Sequence, residues 1–279
     1  METTEIESPP PTRPVAPAAL VAIAPPWHTA VLVASIVAFT IHGASRFSVA
    51  HAEVNRLATY SLTAAMEALL LAWVLFGLRL KKIPPCALLG SCALSLHSIA
   101  EDLSFAAVFW MISLMVLGTL SMAWSRAESA QAHRPATTYA AGEAGKAGQS
   151  LANDSSKLES LRALKQLAPA NGREIAAWIL LCMLVGFTEE IVFRGYLQRQ
   201  FIGWARGSVG FGVLASAVVF GSAHAYEGAR GMVLITVFGV LFSLLALYRR
   251  SLRAGIFAHA WHDLIAGLAI SLLRSNHVI

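Results

Sequence analysis

Charged residues are scarce in this chain, at 13% of its 279 residues, against roughly 25% in soluble domains. Cysteine is also scarce: the three present, Cys86, Cys92 and Cys182, lie in apolar stretches and form no CxxC pair. This pattern excludes a disulfide framework. The net charge of +5 comes from Lys and Arg at the ends of apolar segments, not from a basic stripe interleaved with aromatics. We therefore expect no nucleic-acid partner.

Long apolar runs are what the sequence has in abundance, with 56% hydrophobic residues. A helix needs about 20 apolar residues to cross the ~30 Å hydrocarbon core of a bilayer. Segments that approach this length are 27–45, 59–78, 86–100, 104–124, 174–197, 208–225, 229–248 and 254–273. The third of these is short, and a re-entrant segment is the alternative there. We predict an all-α polytopic protein of about eight transmembrane helices, with the lipid bilayer as its surroundings.

The composition divides the chain into four parts. Residues 1–26 contain seven prolines and begin with acidic rather than basic residues, which predicts a disordered tail rather than a signal peptide. Residues 27–124 form an N-terminal membrane half of four helices. Residues 125–173 form a polar loop, which ends in a short amphipathic helix over 155–167. Residues 174–275 form the membrane half that carries the chemistry.

The polar loop indicates the orientation of the chain. It holds seven of the 21 Lys and Arg residues, so the positive-inside rule places it in the cytoplasm. With eight spans, both termini are then cytoplasmic, although Arg249, Arg250 and Arg253 would fall on the other side. We expect an integral protein of the bacterial inner (cell) membrane.

Two adjacent carboxylates, Glu189 and Glu190, lie inside an apolar segment together with Arg194. A charge at the centre of a bilayer costs at least ~2.5–3.5 kcal/mol, so such residues usually mark a functional site. Glu190 and Arg194 are four residues apart and share a helix face, so they can pair. Glu189 points about 100° away from Glu190. The two carboxylates therefore need not compete for one partner, and Glu189 is available for other chemistry.

Two later apolar segments add histidines at helical spacing. Phe220 and His224 are four residues apart, as are His259 and Asp263, with His262 between the latter two. A Glu and a His together can hold and deprotonate a water molecule, and a His can donate a hydrogen bond to a developing oxyanion. These groups suit peptide hydrolysis without a covalent nucleophile. The chain has neither a His-Glu-x-x-His zinc motif nor a Gly-x-Gly-Asp motif.

The three motifs resemble those of a known family, the CAAX prenyl protease 2 and lysostaphin resistance protein A-like (CAAX protease and bacteriocin-processing) intramembrane endopeptidases. The family motifs are Glu-Glu-x-x-x-Arg, Phe-x-x-x-His and His-x-x-x-Asn or Asp, and they occur here in the family order over about 174–275. The resemblance implies that Glu189 and His224 activate water. It also implies that Glu190 and Arg194 hold the site in shape.

The resemblance further implies that His259 and Asp263 form the oxyanion side, where the best-described members have Asn instead of Asp. An ionised Asp only accepts hydrogen bonds, so Asp263 orients His259 or binds a metal. The family has been described both as metalloproteases and as glutamate proteases. A zinc site would use Glu189, His224, His259 and Asp263, and this alternative stays open.

The implied partner is a peptide or protein substrate at the membrane, of which a prenylated CAAX protein is one option. Alternative functions are a transporter or proton relay, and a non-catalytic protein that binds a membrane partner. Glu67 is an isolated carboxylate in the second segment; we expect it to pair with a polar group of segments five to eight, or to be part of the site. We expect His262 to be a packing residue, and 195–207 to lie in the membrane interface.

Overall fold

The computed structural model describes residues 22–48, 55–90, 95–132 and 165–276. These residues form helices and no strands, which confirms the all-α fold. The α-helices are α1 (Pro26–Ser48), α2 (Arg56–Leu80), α3 (Cys86–Leu89), α4 (Leu96–Ala132), α5 (Gly172–Glu189), α6 (Gln198–Trp204), α7 (Val209–Ala223), α8 (Gly228–Arg249) and α9 (Arg253–Ser275). A π-helix, Glu190–Leu197, joins α5 to α6, and a 3₁₀ turn, Ala225–Glu227, precedes α8.

Six stretches of the described residues are long and apolar enough to cross a membrane, and α7 is a shorter apolar helix of 15 residues. The predicted span at 86–100 is wrong. Its first residues form only the four-residue α3, which begins after Pro85 and ends at Gly90 with φ 87°. A positive φ is accessible to glycine and stops a right-handed helix. Residues 96–100 belong instead to the 37-residue helix α4.

The boundaries of the predicted tail and loop also differ from the structure. Residues 22–26 of the predicted tail are ordered, because the Gln200 side chain accepts hydrogen bonds from the N–H groups of Ile23 and Ala24 at 2.8 and 3.0 Å. Helix α4 continues to Ala132, so the first eight residues of the predicted polar loop are helical. Most of the predicted amphipathic helix at 155–167 lies outside the described residues.

Gly186 lets helices α5 and α9 pack closely. A side-chain carbon at Gly186 would lie 2.8 Å from the Ala260 backbone nitrogen, so only glycine allows this approach. The π-helix that follows α5 is buried along its whole length. It packs in the main apolar core against residues of α1 and α2 such as Leu32, Val74 and Leu78.

A long hairpin brings the second motif level with the first. The segment 195–207, which we predicted to lie in the membrane interface, continues the helix through α6 to Trp204. It reverses through Arg206 and Gly207, whose φ angles are 55° and 92°. Glu189 lies sixteen residues before Ala205, and His224 lies sixteen residues after Ser208. Arms of equal length place these two residues at the same depth.

Candidate active site

The site is a cavity of about 750 Å³ enclosed by residues of α1, α2, α5, α7, α8 and α9. All the acidic and histidine side chains that sequence analysis proposed for it line this cavity, except Glu190, which lies buried behind it together with Arg194. The acidic and histidine residues along the wall are His42, Glu67, Glu189, His224, Glu227, His259, His262 and Asp263. The cavity therefore combines a wide apolar wall with one concentrated polar region.

Glu190 and Arg194 form the predicted ion pair, with Arg194 Nη1 at 2.9 Å from Glu190 Oε1. Both side chains are buried. Arg194 Nη2 also donates to the Gly239 carbonyl at 3.4 Å. The guanidinium carbon lies 4.2 Å from the centre of the Phe220 ring and 5.0 Å from that of Phe242, where the ring faces attract a cation. Arg194 thereby ties the π-helix to α7 and α8.

His259 connects the two adjacent carboxylates. Its Nδ1 lies 3.1 Å from Glu190 Oε1, and its Nε2 lies 3.4 Å from Glu189 Oε2 and 3.8 Å from Asp263 Oδ2. An ionised carboxylate only accepts hydrogen bonds, so Nδ1 carries the hydrogen toward Glu190. The helical spacing predicted that Glu189 and Glu190 have separate partners; the structure brings both to one ring, at opposite nitrogens.

The π-helix determines how these residues face α9. Its wide turn shows in the bond from the Gln198 N–H to the Phe193 carbonyl, five residues earlier. The same carbonyl accepts a 2.6 Å hydrogen bond from the Ser216 hydroxyl of α7. π-Helical turns are rare and often occur at functional sites. Here the segment also needs a small neighbour, because a side-chain carbon at Gly255 would lie 2.9 Å from Glu190 Oε2.

His224 stands at the C-terminal end of α7, where the helix ends and the cavity wall turns. Its Nδ1 lies 2.9 Å from the Phe220 carbonyl. A carbonyl only accepts, so Nδ1 carries the hydrogen, and Nε2 of the neutral ring is an acceptor. The Phe220 ring lies edge-on to both histidines, with centroids 5.0 Å from His224 and 5.9 Å from His259. Phe220 therefore spaces the two histidines.

The cavity wall also includes Glu67, for which sequence analysis left a role in the site open, and His42, Tyr226 and Glu227, which it did not assign to the site. Glu67 of α2 is only 8% exposed, and its Oε2 has no hydrogen-bond partner among the described residues. The pairing that we expected for Glu67 is thus not formed at this oxygen. Tyr226 and Glu227 follow His224 in the 3₁₀ turn. The sequence feature that indicated Glu67 was its position as a lone carboxylate in an apolar helix. For Tyr226 and Glu227 the only such feature was their proximity to His224 in the sequence.

His262 lies against an aromatic side chain, as expected for a packing residue, with its ring 4.7 Å from that of Phe238. It also borders the cavity. Within the described ranges, no group of three His, Cys, Asp or Glu side chains has the arrangement of a metal site. The zinc site of Glu189, His224, His259 and Asp263 stays a prediction.

The comparisons with known proteins bear on the second membrane half. Residues 171–265 match the family model described as type II CAAX prenyl endopeptidase Rce1-like. No curated protein and no solved structure matches the chain. The matched region contains all three motifs and the acidic and histidine residues that converge from α5, α7 and α9. Residues 171–265 of this integral membrane protein are therefore similar to the Rce1-like type II CAAX prenyl endopeptidase family, as the three motifs predicted.

Proposed function

We propose that this protein is an intramembrane endopeptidase that uses Glu189 as the base on water. The observation that supports the proposal is the contact of Glu189 and Glu190 with opposite nitrogens of the His259 ring, at the wall of a large cavity. Such a group can move a proton and stabilise a developing negative charge at one place. The cavity is large enough for a peptide segment and a water molecule.

In the first step, Glu189 takes a proton from a water molecule that His224 orients through its Nε2. The water oxygen bonds to the carbonyl carbon of the peptide bond, and the carbonyl π electrons move to its oxygen. The Nε2–H of His259 donates a hydrogen bond to this oxyanion, and the proton stays on His259. An N–H at both ring nitrogens suits the environment of His259, because carboxylate oxygens face both sides of the ring.

In the second step, the tetrahedral intermediate collapses and the C–N bond breaks. Glu189 returns the proton to the leaving nitrogen, so one water is consumed and an acid and an amine are released. Glu190 and Arg194 act as positioning residues: they fix the His259 ring through Nδ1 and keep each other neutralised. Asp263 orients His259 from the Nε2 side.

We propose as substrate a peptide or protein segment that reaches the cavity from the membrane, with a prenylated CAAX protein as one option. The cellular site proposed is the bacterial inner membrane, with the polar loop and the C-terminal end of α9 in the cytoplasm. The expectation of two cytoplasmic termini rested on four spans before the loop, whereas only the spans α1, α2 and α4 precede it among the described residues. We therefore propose that the N-terminal end of α1 lies on the opposite side. The Lys and Arg content of the polar loop supports this orientation.

The test is peptide cleavage by the full-length protein in proteoliposomes, compared with Glu189→Gln. Loss of a general base lowers the rate by about 100- to 10,000-fold, so we expect cleavage to fall by at least the lower factor. Glu128→Gln is the matched control, because Glu128 lies on α4 outside the cavity wall. Unchanged cleavage by Glu189→Gln would contradict the proposal. Loss of bound metal together with activity would favour the metalloprotease alternative.

A further inference from the structure

The cavity wall is acidic in a way that the proposed reaction does not require. Four carboxylates line it: Glu67, Glu189, Glu227 and Asp263. No Lys or Arg occurs among the described residues of the wall. A substrate carboxylate would therefore meet negative groups and histidines, without a guanidinium or ammonium to bind it. A substrate cation would meet several acceptors.

Glu67 is the residue that points most directly to a ligand. It lies outside the family-matched region, its side chain is more than nine-tenths buried, and Oε2 lacks a hydrogen-bond partner within the part of the chain described. A buried carboxylate oxygen without a partner costs free energy. A cationic donor that enters the cavity would recover that free energy.

The packing of α2 against α5 gives the depth of Glu67 relative to the reaction centre. Arg56 contacts Glu174 at 3.7 Å, and the Tyr60 ring lies 5.4 Å from that of Trp178. In both contacts the α5 residue follows the α2 residue by the same number of positions in the chain, so the two helices run side by side in the same direction. The same offset places Glu67 level with Val185, one turn before Glu189. At 1.5 Å per residue, this is about 6 Å along the axis.

We propose that Glu67 is a substrate-binding residue that accepts the ammonium or guanidinium of a Lys or Arg side chain of the peptide. An extended peptide advances about 3.3–3.6 Å per residue, so the basic residue lies about two positions from the cleaved bond. The substrate class is thus a peptide segment that carries a Lys or Arg about two positions from the cleaved bond. This inference rests on the proposed endopeptidase function, since the register is measured from Glu189.

The neighbours of Glu67 favour a cation over an anion. Glu189, Asp263 and His259 line the same cavity as Glu67. Two of these three are carboxylates, so the local surroundings of Glu67 repel an anion. Charge-assisted hydrogen bonds contribute about 1.5–3 kcal/mol, and 1.4 kcal/mol corresponds to a factor of ten. The expected preference for a basic peptide is therefore about 10- to 100-fold.

The experiment uses the full-length protein in proteoliposomes and a set of apolar peptides that each carry one variable position. Lys, norleucine or Glu is placed in turn at each of four positions on either side of the bond, and kcat/KM is measured by mass spectrometry. We expect Lys to exceed norleucine by 10- to 100-fold at one position, two residues from the cleaved bond, and Glu to be the poorest. Glu67→Gln should remove the Lys preference, so that the ratio of kcat/KM for the Lys peptide to kcat/KM for the norleucine peptide falls to about one.

Two further measurements keep this inference distinct from the proposed function. Glu128→Gln should retain the Lys preference, and thermal unfolding in detergent identifies any Glu67→Gln preparation that is misfolded. Fluorescence anisotropy measures how tightly the Lys and norleucine peptides bind to Glu189→Gln, in which recognition occurs without cleavage. The Lys peptide should bind more tightly there too. If the wild type cleaves no peptide, the proposed function fails. If it cleaves all three classes equally, or Glu67→Gln lowers all rates by one factor, only the role of Glu67 is refuted.

Discussion

Replacement of Arg194 by Ala tests whether the buried ion pair holds the site together. The substitution removes the partner 2.9 Å from Glu190 and the cation over the Phe220 ring, and it leaves Glu190 charged and fully buried. Loss of one partner of a buried pair typically costs ~3–5 kcal/mol. For a chain of this length, 1 kcal/mol corresponds to roughly 2 °C in Tm. We expect Tm in detergent to fall by about 6–10 °C.

The control for Arg194→Ala is Arg230→Ala, because Arg230 lies in a more open position. Arg230 lies 4.0 Å from Glu128, and both side chains are partly exposed, so loss of this ion pair should cost at most ~1 kcal/mol. The double variant Glu190→Gln with Arg194→Ala should recover part of the lost stability, because no buried charge is left unpaired. An unchanged Tm in Arg194→Ala, with only activity reduced, would refute the structural role of the pair.

Three further substitutions test other parts of the site. Asp263→Asn removes the charge but keeps the shape of the side chain, so if Asp263 only orients His259, kcat/KM should fall by no more than ~10-fold, about 1.4 kcal/mol. A much larger loss of kcat/KM together with release of zinc, measured by metal analysis, would indicate a metal site. Gly186→Ala places a carbon against the α9 backbone, so it should lower the free energy of unfolding by ~1–3 kcal/mol and lower the Tm. An unchanged Tm would show that α9 can move away from α5. Tyr196→Phe removes the hydroxyl that lies 2.7 Å from His28 Nδ1, which leaves a buried group unpaired and should lower the free energy of unfolding by ~1–3 kcal/mol. The Tm should therefore fall, and a variant as stable as the wild type would contradict this expectation.

The parts of the site that sequence analysis predicted correctly depend on local spacing. Glu190 and Arg194 are four residues apart, and they pair even though the helix widens to a π-helix between them. The apolar composition likewise indicated a helical membrane protein, because length and hydropathy are properties of each segment alone.

The parts that sequence analysis missed depend on contacts between helices. Local periodicity contains no information on how far α2 is shifted along α5, so the position of Glu67 on the cavity wall could not be predicted. The bridge from His259 to both glutamates depends in the same way on the close approach of α9 at Gly186. The predicted span at 86–100 failed because a hydropathy average does not register Gly90, where the backbone turns.

The hairpin from α5 to α7 also restricts how the length of this chain can vary. One residue inserted into either arm moves every position beyond it by 1.5 Å along the axis and by 100° around it. Such an insertion turns Glu189 or His224 away from the cavity, although neither residue is changed. A residue inserted between Ala205 and Ser208 alters neither arm. Insertions and deletions compatible with activity should therefore be confined to the turn, while both arms keep a fixed number of residues.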